Sequence, residues 1–412
     1  MQKDKLNIWI IHPYSGSPSN GMSFRPYYLA KYFNEQNYKT IIISSFFHHL
    51  SDIENKEIGS NKIEGIDYFL VKVPTYKGNG LRRVLNMLSF GYNLFRKDFY
   101  NFACSNKPTA IIASTAHPFH FLAAKYYSKK FNAKLILEVR DLLPLSLQEL
   151  LGVSKFNPIS ILLEVFQNYA YKNCDHCVSL LEHAEPYLLM KGLKKNSFSY
   201  IPNGIEVESS TLTNDCNALT DLKKTKKNLG SNGLIIGYMG AIGKPNNIDT
   251  LIKSMSSLKK LQIVTVIFGE GTEKKRLLNY KRKNKLDNVK FFDPIPKAQI
   301  AKVIKLCDLM FINAQPKKIY KYGISPNKIF DYLLQDKYTL SGIDSPGNPL
   351  ELASAEIYFQ ANDDRDLARK ILDFYYNRPT ENVNFSKFVR ENYSYKCLSK
   401  KYIELIQELK FS

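Results

Sequence analysis

The sequence predicts an α/β protein built from two doubly wound domains, each a largely parallel sheet covered by helices on both faces. Three observations predict this class. Short, almost wholly apolar runs alternate with longer amphipathic segments along the chain, as strands buried on both faces require. The series of runs ends near residue 181 and restarts near residue 233. At 412 residues the chain is long for a single core and suits two domains.

The first series of strand candidates is LNIWIIH (6–12), TIIISSFF (40–47), DYFLVKV (67–73), AIIAS (110–114), KLILEV (134–139) and HCVSLL (176–181). Helical patterns lie between them, for example at 25–34 and 119–130. The second series is GLIIGYMG (233–240), QIVTVIFG (262–269), NVKFFD (288–293), DLMFI (308–312), KYTLSG (337–342) and EIYFQ (356–360). Between the two lies YIPNGIEVESSTLTNDCN, a turn-rich polar stretch that reads as a linker. The two domains are expected to face each other across a cleft. Ligands on such sheets bind beyond the carboxyl ends of the strands. The loops of interest are therefore 12–24, 115–120, 140–146, 240–247, 269–273, 292–297 and 313–328.

Composition sets further bounds. Hydrophobic residues make up 44% of the chain, enough for buried cores. No uncharged apolar run reaches 18 residues, so no membrane-spanning helix is expected. The N-terminal apolar run, Ile8 to Ile11, is too short for a signal-peptide core and suits a first strand, which implies a cytoplasmic protein. The six cysteines fit free thiols. Cys174 and Cys177, in CDHC, have metal-knuckle spacing but no second pair follows. The net charge of +20 favours an anionic partner. No nucleic-acid module is recognisable, and the lysine-rich runs 223–227 and 274–285 read as solvated helix faces. The stretch 77–100 sets Leu81, Val84, Leu85, Leu88, Tyr92, Phe95 and Phe99 on one helical stripe, with Arg82, Arg83, Arg96 and Lys97 around it. Such a helix either packs its stripe on the sheet or lies at an anionic bilayer interface. Both hold if the stripe packs inward and the arginines face lipid.

The loops carry the chemistry. After the first strand, Gly16 and Gly21 allow close backbone approach, and Ser19, Asn20 and Ser23 offer helix caps, a candidate anion or substrate loop. In GYMGAIGK, Gly237, Gly240 and Gly243 give G-x-x-G-x-x-G followed by Lys244. A nicotinamide-dependent oxidoreductase is one reading of these glycines, although Glu270 lies further along than the expected ribose-binding acid. A sugar nucleotide's diphosphate, received by helix amides and one ammonium, is another. His117 and His120 follow the fourth strand, and Arg140 with Asp141 follows the fifth. In GISPNKIFDYLL a Ser-Pro-Asn turn precedes a helical pattern with Asp331 one turn inside. Locally this is a helix start whose acid complements the macrodipole.

Seven pieces, FRPYYLAK, LEVRDLLP, YIPNGIE, GYMGAIGKPNNIDTLI, FGEGTEKKRL, SPNKIFDYL and FVRENYSYKCLSKKYIELI, occur in an order that resembles the family-4 class of retaining glycosyltransferases. That class has the GT-B fold of two Rossmann-like domains, and the likeness is nearest to a bacterial subgroup making surface polysaccharide or lipid-linked glycan. The resemblance implies an acceptor domain over 1–205, a donor domain over 206–385 and a C-terminal segment, 386–412, that packs back onto the first domain. In that last segment the apolar spacing of Tyr402, Ile403, Leu405, Ile406 and Leu409 suits such packing. It also implies that Asp331 matches the second acid of an E-x7-E motif and accepts hydrogen bonds from the donor ribose. Ser325, Pro326, Asn327 and Lys328 would present amides and an ammonium to the diphosphate, with Gly16, Gly240, Gly243, Lys244 and Gly269 completing the donor site. Two departures stand out. Gly323 occupies the place of the motif's first Glu, and Ala241 replaces an arginine many members carry. Charge compensation then falls to Lys244 and Lys328.

The implied reaction moves a hexosyl group from a nucleoside diphosphate sugar, a UDP-sugar first, to a glycan or lipid-linked acceptor hydroxyl with retention. His117 is the candidate contact to the transferred sugar, and Arg140 and Asp141 line the acceptor side. The acids of NDDRD (362–366) read as a helix start rather than a metal site, so neither a metal nor a cofactor is expected. The expected partners are the sugar donor, the acceptor and an anionic membrane surface, at the inner face of the cell membrane, with no nucleic acid. A sugar-nucleotide epimerase or hydrolase of the same fold is the alternative.

Overall fold

Runs of Ile, Val and Leu become strands here because only a sheet covered on both faces buries every residue of the run. The computed structural model describes residues 6–411 apart from 19–20, 22, 51–55, 79, 209–216 and 380–382. Ser19 and Asn20, candidate caps of the first loop, lie outside the described residues. The chain divides into two units, Met1–Gly204 with Tyr395–Ser412, and Ile205–Ser394.

The first unit holds β1 (Asn7–Ile11), β2 (Lys39–Ser45), β3 (Gly59–Ile63), β4 (Ile66–Val71), β5 (Ala110–Thr115), β6 (Lys134–Val139), β7 (His176–Ser179) and β8 (Phe198–Tyr200). They form one sheet in the order β3-β4-β2-β1-β5-β6-β7-β8. All neighbours run parallel except β3 with β4. In the second unit β9 (Leu234–Met239), β10 (Ile263–Phe268), β11 (Val289–Phe292), β12 (Leu309–Ile312), β13 (Thr339–Ser341) and β14 (Glu356–Tyr358) form a parallel sheet in the order β11-β10-β9-β12-β13-β14. The order reverses beside β1 in one sheet and beside β9 in the other, and crevices for ligands open at such switch points. Each of the twelve expected runs is a strand. The edge strand β3, GSNKI, and the three-residue β8 were not expected, because neither carries an apolar run.

One face of the first sheet is closed by the helices Arg25–Glu35 and Tyr395–Phe411, with Tyr402, Ile403, Leu405 and Ile406 buried against Tyr32, Phe33 and Ile10. Under these helices lies a charged pair. Arg25 Nε donates to Glu138 Oε2 at 2.9 Å, and both side chains are almost wholly buried. Ser114 and Tyr402 also donate to Glu138. The rest of the Arg25 fork donates to the carbonyls of Ile201 and Pro202 and to the Tyr402 hydroxyl. Burial pushes the Glu138 carboxyl up, but Arg25, Arg140 and the two hydroxyl donors outweigh burial, and the net direction is down.

Two features differ from the sequence reading. The segment 386–412 does not act as one piece. Helix Phe385–Asn392 packs in the second unit, where Phe385, Val389 and Tyr393 meet Ile329 and Phe330, and only the helix from Tyr395 joins the first. The stripe at 81–99 does not pack inward either. Helix Leu81–Asn93 ends before a second helix, Lys97–Ser105, and it buries Asn86, Phe90 and Gly91 while Leu81, Leu85, Leu88 and Tyr92 are exposed; of the stripe, only Phe99 is buried. Cys174 and Cys177 are buried, and burial pushes both thiols up, the former to about 12. They are packing residues of β7 and the helix before it.

Removing the Glu138 charge leaves Arg25 buried without compensation. Glu138→Gln is expected to cost about 3–5 kcal/mol in denaturant unfolding followed by a first-unit probe such as Trp9. The folded carboxyl is depressed, so its stabilisation is present above the ordinary carboxylate range and is lost as pH falls through the folded value. The acid limb of the stability curve should therefore flatten in the variant.

Candidate functional site

In the second unit the carboxyl ends of β9 and β10 are drawn together by their backbones. Gly240 N–H donates to Phe268 O at 3.0 Å, Ile242 N–H to Glu270 O at 2.8 Å and Glu273 N–H to Ile242 O at 3.0 Å. A Cβ on Gly269 would fall 1.9 Å from the Gly240 carbonyl oxygen, so no other residue fits while the two loops touch. Gly237 lies inside β9, and a Cβ there would fall 2.7 Å from Cys307 Sγ. The first glycine of the candidate dinucleotide fingerprint is thus a core packing residue. The loop runs into a single 3-10 turn, Lys244–Asn246, with the next helix only at Asp249–Ser254. This geometry does not favour the nicotinamide reading.

Above the loop stands Lys328, the second residue of helix Asn327–Leu334. Its Nζ donates to Tyr238 Oη at 3.2 Å and to Asn246 Oδ1 at 3.4 Å, and lies 4.5 Å from the Tyr238 ring centroid. The position that a Gly240 Cβ would take is 3.0 Å from the same ammonium. Burial lowers the Lys328 pKa to about 8. Pro326 is the extended N-cap residue, and it caps the helix with no side-chain hydrogen bond. Ser325, Pro326, Asn327, Lys328, Gly240, Gly243 and Lys244 therefore share the strand-end region of one unit. Asp331 is one turn along, where Lys297 Nζ donates to its two oxygens at 2.5 and 2.6 Å. Gly323, in place of the motif's first acid, has φ +106° and ends the 3-10 turn Lys318–Tyr322.

In the first unit the ends of β1, β5 and β6 bring together a second group. Arg140 Nη1 lies 2.9 Å from His12 Nε2 and donates to Ser23 Oγ at 3.3 Å. Its backbone N–H donates to Thr115 Oγ1 at 3.3 Å. Gly16 N–H donates to Ser23 O at 3.0 Å, and Tyr68 Oη donates to Gly16 O at 3.2 Å, which folds the first loop back on itself. His117 is 1% exposed among Tyr14, Phe90, Phe119 and His120. Burial, then His120 and Arg83, hold it well below the usual imidazole value, and neither ring nitrogen has a hydrogen-bond partner among the described residues. It is a neutral ring that can both donate and accept a hydrogen bond. Asp141 is exposed beside Arg140. Sequence reasoning missed four participants: His12, Tyr238, Asn246 and Lys297. Tyr238 and His12 had a signal, since each is a hydrogen-bonding side chain at the end of an otherwise apolar run. Lys297 had none.

Residues 220–324 match the family described as Glycosyl transferases group 1. The second unit carries a glycosyltransferase group 1 domain. WcaI of Escherichia coli (strain K12), whose name assigns it to colanic acid biosynthesis as a glycosyl transferase, is 24% identical over 218 residues, and that match spans about half of each protein, 52% of this chain and 52% of WcaI. Over nearly its whole length the chain is similar in fold to sucrose-phosphate synthase from Thermosynechococcus elongatus, with a TM-score of 0.75 at 12% identity, covering 98% of this chain and 99% of that one. Anabaena Alr3699/HepE in complex with UDP-glucose gives a TM-score of 0.65 at 13% identity over 98% and 100% of the two chains. WaaG, a glycosyltransferase involved in lipopolysaccharide biosynthesis, gives 0.63 at 10% identity over 97% and 99%. The glycosyltransferase group 1 domain thus sits in a chain with the GT-B fold.

The glycine contact yields a paired test. Gly269→Ala is expected to cost about 1–3 kcal/mol of stability through overpacking. Gly243→Ala, whose Cβ would meet nothing closer than Pro245 Cδ at 3.6 Å, should change stability little. Denaturant midpoints of the two variants decide whether the 240 and 269 loops are in contact.

Proposed function

We propose that the protein is a retaining glycosyltransferase. It moves a hexosyl group from a UDP-sugar to a glycan or lipid-linked acceptor, in assembly of a cell-surface polysaccharide at the inner face of the membrane. The observation that carries this reading is the grouping, within residues 325–331 of the second unit, of a helix start with no side-chain cap, a half-buried ammonium and an acid one turn on. Support also comes from HepE, of similar fold, which has been solved with UDP-glucose, and from WcaI, named for polysaccharide biosynthesis.

The mechanism follows from charge. As the sugar departs, negative charge grows on the diphosphate and positive charge on the ring, so preorganised donors at the diphosphate lower the barrier most. Helix amides at 325–328 with the Lys328 and Lys244 ammoniums meet that charge, Gly240, Gly243 and Gly16 let backbone approach the donor, and Gly269 lets the Gly240 loop lie against its own at the donor site. Asp331 accepts from the ribose hydroxyls, and Lys297 yields or shares the carboxylate when the nucleotide arrives. His117, neutral, is suited to hydrogen-bond a sugar hydroxyl without adding charge beside a cationic ring. Arg140 and Asp141 serve the acceptor.

The test is donor turnover over a panel of UDP-, GDP-, dTDP- and ADP-sugars, with the anomeric configuration of the product read by NMR. UDP-sugar should be consumed fastest and with retention. Consumption of none, or reduction of a nicotinamide cofactor instead, would overturn the reading, and a donor isomerised without acceptor would point to an epimerase. Asp331→Asn should weaken UDP binding by about 1.5–3 kcal/mol, as for a hydrogen bond to a charged group. Alanine at His117, Arg140 or Asp141 should lower transfer at least tenfold while UDP affinity, measured by calorimetry, barely changes.

A further inference from the structure

Helix Leu81–Asn93 is inside out. Its inward face carries Asn86, fully buried, whose Nδ2 donates to Pro74 O at 2.8 Å, together with Phe90 and Gly91. A Cβ on Gly91 would lie 2.8 Å from Phe119 O, so the helix is seated firmly against the rest of the unit. The outward face carries Leu81, Leu85, Leu88 and Tyr92, with Phe95 just beyond the helix end, and Leu81 and Tyr92 are 78% and 71% exposed. That spacing of three and four residues is one stripe along a helix. Monomeric proteins seldom expose such a stripe without using it.

The stripe continues sideways. Phe95 meets Tyr126 of helix Phe121–Phe131, ring centroids 5.6 Å apart, and Leu122 and Tyr126 of that helix are themselves exposed. The next helix, Pro158–Asn173, approaches through Phe121 and Tyr169 at 6.3 Å and exposes Ile161, Val165 and Tyr169 at four-residue spacing. Three neighbouring helices of the first unit thus carry apolar side chains on their outer surface. Around them stand Arg82, Arg96, Lys97, Lys129 and Lys130, all exposed, and helix Phe121–Phe131 has no acid at all.

We propose that this face of the first unit docks on an anionic lipid bilayer, with leucines and aromatic rings in the headgroup boundary and the basic side chains against lipid phosphates. This rests on the reading of a membrane-side acceptor and deepens it by naming the surface. Chemistry selects the occupant. Exposed leucines and tyrosines suit the interfacial zone, and each nearby Lys or Arg is drawn to an anionic surface. A second copy of the chain would bring the same basic residues face to face in a symmetric contact, where like charges oppose association. Nucleic acid would leave the aliphatic stripe unused.

Vesicle flotation of the full chain tests this. Vesicles of phosphatidylcholine with about one third phosphatidylglycerol should carry the protein up the gradient, and pure phosphatidylcholine should carry at least tenfold less. Raised salt should release it. Leu85→Ser with Tyr92→Ser, and separately Arg82→Glu with Arg96→Glu, should each lower the floated fraction at least fivefold. Trp9 fluorescence and the denaturant midpoint of the first unit, measured on the same variants, should be unchanged, which shows that they fold, and unchanged UDP binding by the second unit separates this outcome from failure of the transferase reading. Binding that ignores either pair of substitutions, or absence of flotation on both vesicles, would overturn the proposal. So would a dimer in analytical ultracentrifugation that the Leu85 and Tyr92 changes abolish, since the stripe would then belong to a second copy.

Discussion

The first unit depends on a buried charge pair. Arg25 and Glu138 come from the helix after β1 and the end of β6, and with Tyr402 and the carbonyls of Ile201 and Pro202 they bind four distant parts of the chain at one point. A pair so buried adds little net stability by itself, because desolvation offsets attraction. Its consequence is positional. The Glu138 carbonyl accepts from Thr115 Oγ1 at 3.1 Å, and the same hydroxyl accepts from the Arg140 N–H. The clasp therefore fixes the strand ends from which Arg140 reaches His12 and Ser23. Tyr402 gives the C-terminal helix a reason to return to this unit: without its hydroxyl the carboxylate loses a donor that no other described side chain on that helix supplies.

The second unit holds a cation with no carboxylate partner among the described residues. Lys328 is held by neutral groups, the Tyr238 ring and hydroxyl and the Asn246 carbonyl. Burial therefore works against its charge and lowers its pKa to about 8. An ammonium in that condition gains more from an arriving diphosphate than an exposed lysine does, because the ligand relieves a desolvation penalty already present. Asp331 is treated in the opposite way, since the Lys297 ammonium donates to both of its oxygens.

Most of the fold was legible because the buried parallel strands leave uninterrupted apolar runs, which cannot be mistaken for solvated faces. Gly59–Ile63 pairs antiparallel at an edge with alternating exposure, and Phe198–Tyr200 is only three residues long, so neither left such a run. The candidate site was legible where chemistry follows a strand directly, as with Arg140, His117 and the loop after β9. It was illegible where partners come from afar: Lys297 precedes Asp331 by 34 residues, and nothing local couples them. Orientation was also hidden. The periodicity of 81–95 defines a stripe but carries no sign, and the buried Asn86, anchored by backbone carbonyls, decided which face turned outward. At 386–412 the apolar spacing was continuous, while the chain changes units at Ser394.

Proton linkage tests most directly whether Lys328 receives a diphosphate. Near pH 8 the free ammonium, with a pKa of about 8, is half ionised; an adjacent diphosphate raises that pKa and must draw protons from solution. Calorimetric titration of UDP at pH 8, where the UDP phosphate is itself fully ionised, in buffers of different ionisation enthalpy, should show uptake of about half a proton per UDP bound, absent in Lys328→Met. UDP binding with no buffer dependence at pH 8, or uptake that persists in Lys328→Met, would contradict the account.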